Sequence, residues 1–311
     1  MTHYEPNDPE FYYTQKVVAA ALLLAVLLLA ACNHPEPKQP AQLAAQTTRP
    51  MSGVATASSL PTTPTQTPGR VPPTATITLP PPSPTATSTP LITPPPVQAV
   101  LITNGSRALP YVALTFDLCQ KPEYPAGFDQ GIVDALVKAE APATFFVGGD
   151  WARTHPDETR LLAANPLFEL GNHSWTHPDL IDLDVTQINE QIGLAQDIIT
   201  QITGRTPRLF RLPAGLYNNQ VLRLIAQAGL YTIQWDVVTA DPVPDNSAEN
   251  INRIVRDKVQ NGSIIIMHAN GRGWHTAEAL PGMIEYLRQA GYTLVTVSQL
   301  LGLEPLPGET P

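Results

Sequence analysis

From Tyr111 onward, short apolar runs alternate with segments whose apolar positions recur every three or four residues. The runs are VALTFD (112–117), ATFFVG (143–148), LFELGN (167–172), RLFRLP (208–213), YTIQWDVV (231–238), SIIIMHA (263–269) and YTLVTV (292–297). They predict seven strands. Between them, the pattern predicts a helix over IVDALVKAE capped by Asp129, and another running through Leu161 and Leu162. A long amphipathic helix is expected from Asp184, which has capping-box spacing to Gln187, and NQVLRLIAQAG should stop at Gly229. Two more helices are expected, over 247–259 and 277–290. Strands apolar on both faces, alternating with helices, form a mostly parallel sheet covered on its outside. Seven units predict an α/β fold of the irregular (β/α) barrel kind, incompletely closed, with chemistry at the C-terminal rim of the strands.

The chain before this pattern is of another kind. Half of the 34 prolines fall between Cys32 and Leu101, interspersed with Thr and Ser. Such a stretch cannot offset its ordering entropy, so 33–100 is expected to be a disordered linker and 101–311 the folded domain. At roughly 3 Å per residue the linker could reach about 200 Å. Residues 17–31 are wholly apolar, the length of a signal-peptide core, and the segment 1–32 ends LAAC. That ending resembles a lipobox, which makes Cys32 the expected lipidation site, although residues 1–16 are acidic where a basic region is usual. An uncleaved membrane anchor is the other reading. Either one tethers the domain to a membrane on its extracytoplasmic side.

Charge narrows the function classes. A net charge of −9 and the lack of any basic run argue against nucleic-acid binding. No glycine-rich phosphate motif follows the first strand, and two cysteines cannot form a disulfide framework.

Polar residues cluster where the strands end: Asp117, His173, Arg211, Asp236, Asp241 and His268. In HSWTH (173–177), one helical turn would place both imidazoles on one face, within reach of one ion, although Pro178 keeps such a turn short. The ordered set TFD (115–117), HSWTH, FRLPAG (210–215), WDVVTAD (235–241) and IIIMH (264–268) resembles the five motifs of the NodB-homology polysaccharide deacetylases, carbohydrate esterase family four. The resemblance spans nearly the whole folded domain.

The resemblance implies that Asp117 is a general base for the attacking water and that His173 and His177 are ligands of a divalent metal of zinc type. Arg211 would hold Asp117, Asp241 would tune His268, and His268 would be the general acid that protonates the departing amine. The backbone N–H of Ala214 is a candidate oxyanion donor, and Ile266 a candidate contact for the acetyl methyl. Trp175 and Trp274 are candidates for sugar stacking, while His275 reads as a groove residue. Three positions depart from the family: Leu118 stands where a second, metal-binding aspartate is usual, Ala214 where an aromatic is common, and Pro242 where Trp is frequent. The third ligand is then expected to be Asp117, ahead of Asp129, with Cys119 a further candidate. The implied activity is removal of acetyl groups from N-acetylated amino sugars of a peptidoglycan or chitin-like polysaccharide. An O-acetyl polysaccharide esterase and a non-catalytic carbohydrate-binding pseudoenzyme are the alternatives.

Overall fold

The structure, a computed structural model, describes residues 96–121 and 126–306. The expected signal segment, Cys32 and nearly all of the expected linker lie outside the described residues. The strands are β1 (Leu101–Ile102), β2 (Tyr111–Leu118), β3 (Ala143–Val147), β4 (Phe168–Asn172), β5 (Leu209–Phe210), β6 (Tyr231–Ile233), β7 (Val237–Val238), β8 (Ile264–His268) and β9 (Thr293–Leu294). All their mutual pairings are parallel. The order across the sheet is β1-β6-β5-β4-β3-β2-β8-β7, with β9 also against β2.

This order forces curvature. β6 and β7 are six strand spacings apart, which in a flat sheet would be about 29 Å. Yet only residues 234–236 join them, and that link spans at most about 14 Å. The sheet therefore curls until its two ends adjoin, and Asn104 bridges Ser263 across the gap. Each run read as a strand contains one, but YTIQWDVV is divided: the Gln234 N–H bonds the Ile102 carbonyl at 2.7 Å, whereas Asp236 N–H reaches Ile264 at 3.3 Å. Its backbone changes partner at the seam. The short β1 was not foreseen.

The helices are α1 (Gln130–Lys138), α2 (Gly149–Thr154), α3 (Pro156–Ala164), α4 (Val185–Thr203), α5 (Asn219–Gln227), α6 (Ala248–Lys258), α7 (Thr276–Gln289) and α8 (Val297–Leu300). Asp129 accepts the Gly131 N–H at 3.1 Å, and Asp184 and Gln187 close a reciprocal capping box. The single helix expected through Leu161 is two, because Pro156 has no N–H to continue α2 and is suited to open α3. No described helix is long and apolar enough to cross a membrane.

Strand alternation sorts the side chains. On β2, Val112, Leu114, Phe116 and Leu118 join the core cluster that includes residues of α1 and α7. Each such buried side chain contributes about 1.5–3 kcal/mol. Ala113 belongs instead to the cluster on the opposite face, with Phe146, Leu209, Ile264, Val297 and Leu300, and Thr115 and Asp117 share its side of the strand. That inner face also holds buried Glu169, which accepts hydrogen bonds from the Thr144 hydroxyl at 2.8 Å, the Ser298 N–H at 3.1 Å and the Ser298 hydroxyl. Burial pushes its carboxyl above the usual range despite these donors.

Candidate active site

Asp117 lies near the C-terminal end of β2, where its register partners are Phe146 on β3 and His268 on β8. Arg211, wholly buried just after β5, donates from Nη1 to Asp117 Oδ1 at 2.8 Å and from Nη2 to Thr115 Oγ1 at 2.8 Å. Its guanidinium lies 3.9 Å from the centre of the Phe146 ring. That ring needs Gly171 beside it, since a Cβ there would come within 2.6 Å of Phe146 Cδ1. A glycine thus makes room for a phenylalanine, the phenylalanine supports an arginine, and the arginine fixes a carboxylate. Burial alone would raise the Asp117 pKa, but the charge of the Arg211 guanidinium and its hydrogen bond lead the effects that outweigh it and hold the carboxyl below its ordinary value.

His268 ends β8. Its Nδ1 is 3.0 Å from Asp241 Oδ1, and its backbone N–H donates to Asp241 Oδ2 at 2.7 Å. Thr276 donates to the same Oδ2 at 2.8 Å and Thr239 to Oδ1 at 3.2 Å. With four donors around a buried carboxylate, Asp241 cannot rotate freely, so the imidazole orientation is fixed. Nε2 remains as the ring nitrogen available for proton transfer.

The segment 173–177 is not the expected helical turn. Ser174 and His177 have φ of 64° and 57°, in the left-handed region, and no helical hydrogen bond forms. The backbone is pinned from outside instead: Gln191 of α4 accepts from the N–H groups of Trp175 and Thr176, and Asn172 from that of Ser174. Amides of α2 bind the carbonyls of Ser174 and Trp175. The loop still brings the two imidazoles together, with ring centroids 5.0 Å apart.

His173 donates from Nδ1 to the Arg211 carbonyl at 2.9 Å. An acceptor-only partner fixes the proton on Nδ1 and leaves a lone pair on Nε2. That nitrogen is buried without a hydrogen-bond partner, and Asp117 Oδ2 lies 3.5 Å from it. Burial lowers the pKa of His173, and burial is the main cause that lowers that of His177 to about 3. Both rings are therefore neutral at pH 7, the state in which imidazole binds metal.

Of the three candidates the sequence offers for a third ligand, Asp117, Asp129 and Cys119, the structure gathers one with both histidines. Among the described residues, the donor atoms that lie within 4.8 Å of one another belong to Cys119, His173 and His177. Asp129 is occupied as the cap of α1, and Asp117 is committed to Arg211. Leu118 is fully buried in the outer core, so position 118 faces away from the site. The donor set fits a divalent ion: one sulfur and two neutral imidazoles, one of which, His173, leaves its Nε2 buried and unpartnered. Without an ion, burial and then the Asp117 charge push the Cys119 thiol up to about 12. A cavity of about 600 Å³, lined in part by Cys119, Lys121, His177, Asn270 and Arg272, opens alongside.

Other expected residues divide. Ala214 is exposed, with φ of 53°, in a one-turn 3₁₀ helix whose own hydrogen bonds use the N–H groups of Gly215 and Leu216. Asp236 does not belong at this rim: it bonds Arg107, Ser263 and the Ile264 N–H, at the opposite end of β8. Ile266 is buried in β8, Trp274 is exposed, and His275 pairs with Glu278 at the start of α7. Thr115, Phe146, Asn172, Gln191 and Thr276 were not singled out. Only Thr115 lay inside a quoted motif; the other four act by supporting a neighbour, which spacing does not reveal.

Residues 104–233 match the family model described as polysaccharide deacetylase. The solved structure of peptidoglycan deacetylase PdaC from Bacillus subtilis is 35% identical, with a TM-score of 0.54, covering 63% of this chain and 91% of that one. The chain belongs to the polysaccharide deacetylase family, carbohydrate esterase family four. It is also 31% identical to the uncharacterized protein YlxY of B. subtilis over 64% of its own length and 60% of YlxY. Against full-length PdaC, a peptidoglycan-N-acetylmuramic acid deacetylase, the identity is 38%, over 61% of this chain and 38% of that protein. The chain therefore spans less than two thirds of either curated relative. A family-four pseudoenzyme from Bacillus anthracis is also similar, at 27% identity and a TM-score of 0.60, covering 66% of this chain and 69% of its own.

Proposed function

We propose that this protein is a metal-dependent hydrolase that removes acetyl groups from N-acetylated amino sugars of a cell-wall or related polysaccharide. The observation that carries the reading is one rim on which a carboxylate with its arginine, a histidine with its carboxylate and two neutral imidazoles converge. Amide hydrolysis needs an activated water, a stabilised oxyanion and a proton for a poor leaving group. A divalent ion of zinc type held by His173 and His177 would activate water and polarise the acetyl carbonyl.

The chain's own residues divide the rest. Asp117, kept ionised by Arg211, takes the proton of the attacking water. His268, oriented through Nδ1 by Asp241, carries a proton on Nε2 to the departing amine. The backbone N–H of Ala214 is placed outside its turn's hydrogen bonds, which suits an oxyanion donor. Separate charged partners keep the base and the acid from competing for one proton.

The same site can attack an acetate ester, so an O-acetyl esterase is the neighbouring reading. Leu118 in the core, together with the likeness to a pseudoenzyme, favours the second reading, a non-catalytic glycan-binding domain. The test is acetate release from N-acetylated and O-acetylated oligosaccharides, with zinc and with chelator. Zinc-dependent release from the N-acetylated set supports the first reading; binding to insoluble glycan without release replaces it. We further propose that the domain works outside the cytoplasm, tethered by lipidation of Cys32 with 33–100 as its spacer. Cys32→Ser should then leave a larger precursor that takes up no labelled fatty acid.

A further inference from the structure

Cys119 follows β2 directly and shares the side of Asp117, whereas Leu118 points into the outer core. Tetrahedral zinc, with bonds of about 2.0–2.3 Å, needs donor atoms about 3.3–3.8 Å apart. The sulfur and the two imidazole donors, within 4.8 Å of one another, are about 1 Å of contraction from that geometry. His173 Nε2 is the independent sign of a ligand: it is buried, unpartnered and carries its lone pair toward this group. The sulfur also has support. Buried Asn270 donates from Nδ2 to the Cys119 carbonyl at 2.7 Å, and the same nitrogen is 3.6 Å from Sγ. An amide donor beside a metal thiolate orients the ligand and tunes its basicity.

We propose that Cys119, as a thiolate, is the third protein ligand of the ion held by His173 and His177. This rests on the metal-hydrolase reading above. The ion displaces the thiol proton to solvent as the sulfur coordinates. One thiolate supplies the same single negative charge as the family's carboxylate, so Asp117 stays with Arg211 and remains free to act as a base. A soft sulfur also selects zinc or cobalt over magnesium or manganese.

The test uses the full-length chain carrying Cys32→Ser, in which Cys119 is the sole thiol. Loaded with cobalt, it should show a near-ultraviolet thiolate-to-cobalt charge-transfer band, which zinc abolishes and magnesium does not. Cys119→Ser in that background should lose the band and bind zinc at least ~100-fold more weakly. Cobalt bound without a thiolate band would overturn the role of Cys119 while leaving the metal reading intact. A chain that retains neither cobalt nor zinc overturns both. Should Cys119→Ser fail to fold, the spectrum of the protein that keeps Cys119 decides alone.

Discussion

Asp117 and His268 are register partners on adjacent parallel strands, and each has a buried ionic partner of its own. Arg211 lies 2.8 Å from Asp117, and Asp241 lies 3.0 Å from His268. The two groups proposed for proton transfer thus sit side by side at one rim, while their partners arrive from elsewhere in the chain: Arg211 from the end of β5, Asp241 from the loop after β7. A change at either partner should therefore alter one group more than the other.

Arg211→Leu is expected to cost about 3–5 kcal/mol at neutral pH, since it leaves a buried carboxylate unpaired. The folded pKa of Asp117 lies below its ordinary 3.8. Its ionisation therefore stabilises the fold above that value, and the contribution is lost as pH falls through the folded pKa. Denaturant titrations of the two proteins should accordingly converge toward acid pH. Any residual activity should show its acid limb moved upward, because burial then acts on Asp117 without the opposing charge of Arg211.

Glu169 has the opposite sign. Its folded pKa is raised above 4.5, so its contribution is fully present below that pH and fades as pH rises through the folded value. Glu169→Gln should drift from less stable toward more stable than the unchanged protein between about pH 4 and pH 8. Parallel denaturation curves would count against a burial-dominated Glu169.

The outer core was legible because β2, β3 and β8 are apolar at nearly every position and the helix caps carry their own signals, as Asp129 and Asp184 show. The order of the motifs also led to the correct partners for Arg211 and Asp241. What failed to show was tertiary. The 173–177 loop reads as a helical turn because i and i+4 share a helical face; nothing local announces that Gln191, from the following helix, takes up its amides. Leu118 signals a departure from the family in the sequence, but that Cys119 gathers with both His173 and His177 depends on how the 173–177 loop folds back to β2. Gly171 likewise has no meaning until β3 lays Phe146 against it.

Gly273→Ala should impair the proposed acid without altering its side chain. A Cβ there would collide with the His268 carbonyl oxygen and sit 2.6 Å from Thr276 Oγ1 and 2.9 Å from Asp241 Oδ2. Backbone cannot yield as a side chain can, so a stability loss of about 1–3 kcal/mol is expected. Because the displaced groups hold Asp241, turnover should fall while KM changes little. If kcat is unchanged at a temperature where the variant is fully folded, the Asp241 cradle does not set the acid's orientation.

His268→Ala tests the acid itself. Removing a positioned proton donor should lower turnover on an N-acetylated oligosaccharide by roughly 100-fold or more. His268 closes β8 with its ring partly exposed and its Nδ1 held by Asp241, so truncation leaves the strand ladder intact and glycan binding should persist. Leaving-group chemistry supplies the discriminating control. An amine departs only with a proton, whereas the phenolate of an activated aryl acetate departs unaided, so the variant should keep far more of its activity on the aryl ester. Asp241→Asn should follow the same order to a smaller degree, since the ring remains but loses the carboxylate that fixes its orientation and tautomer. Equal losses on amide and aryl ester would show that His268 serves a step common to both, such as stabilising the oxyanion, and the assignment of the leaving-group proton would move to another residue.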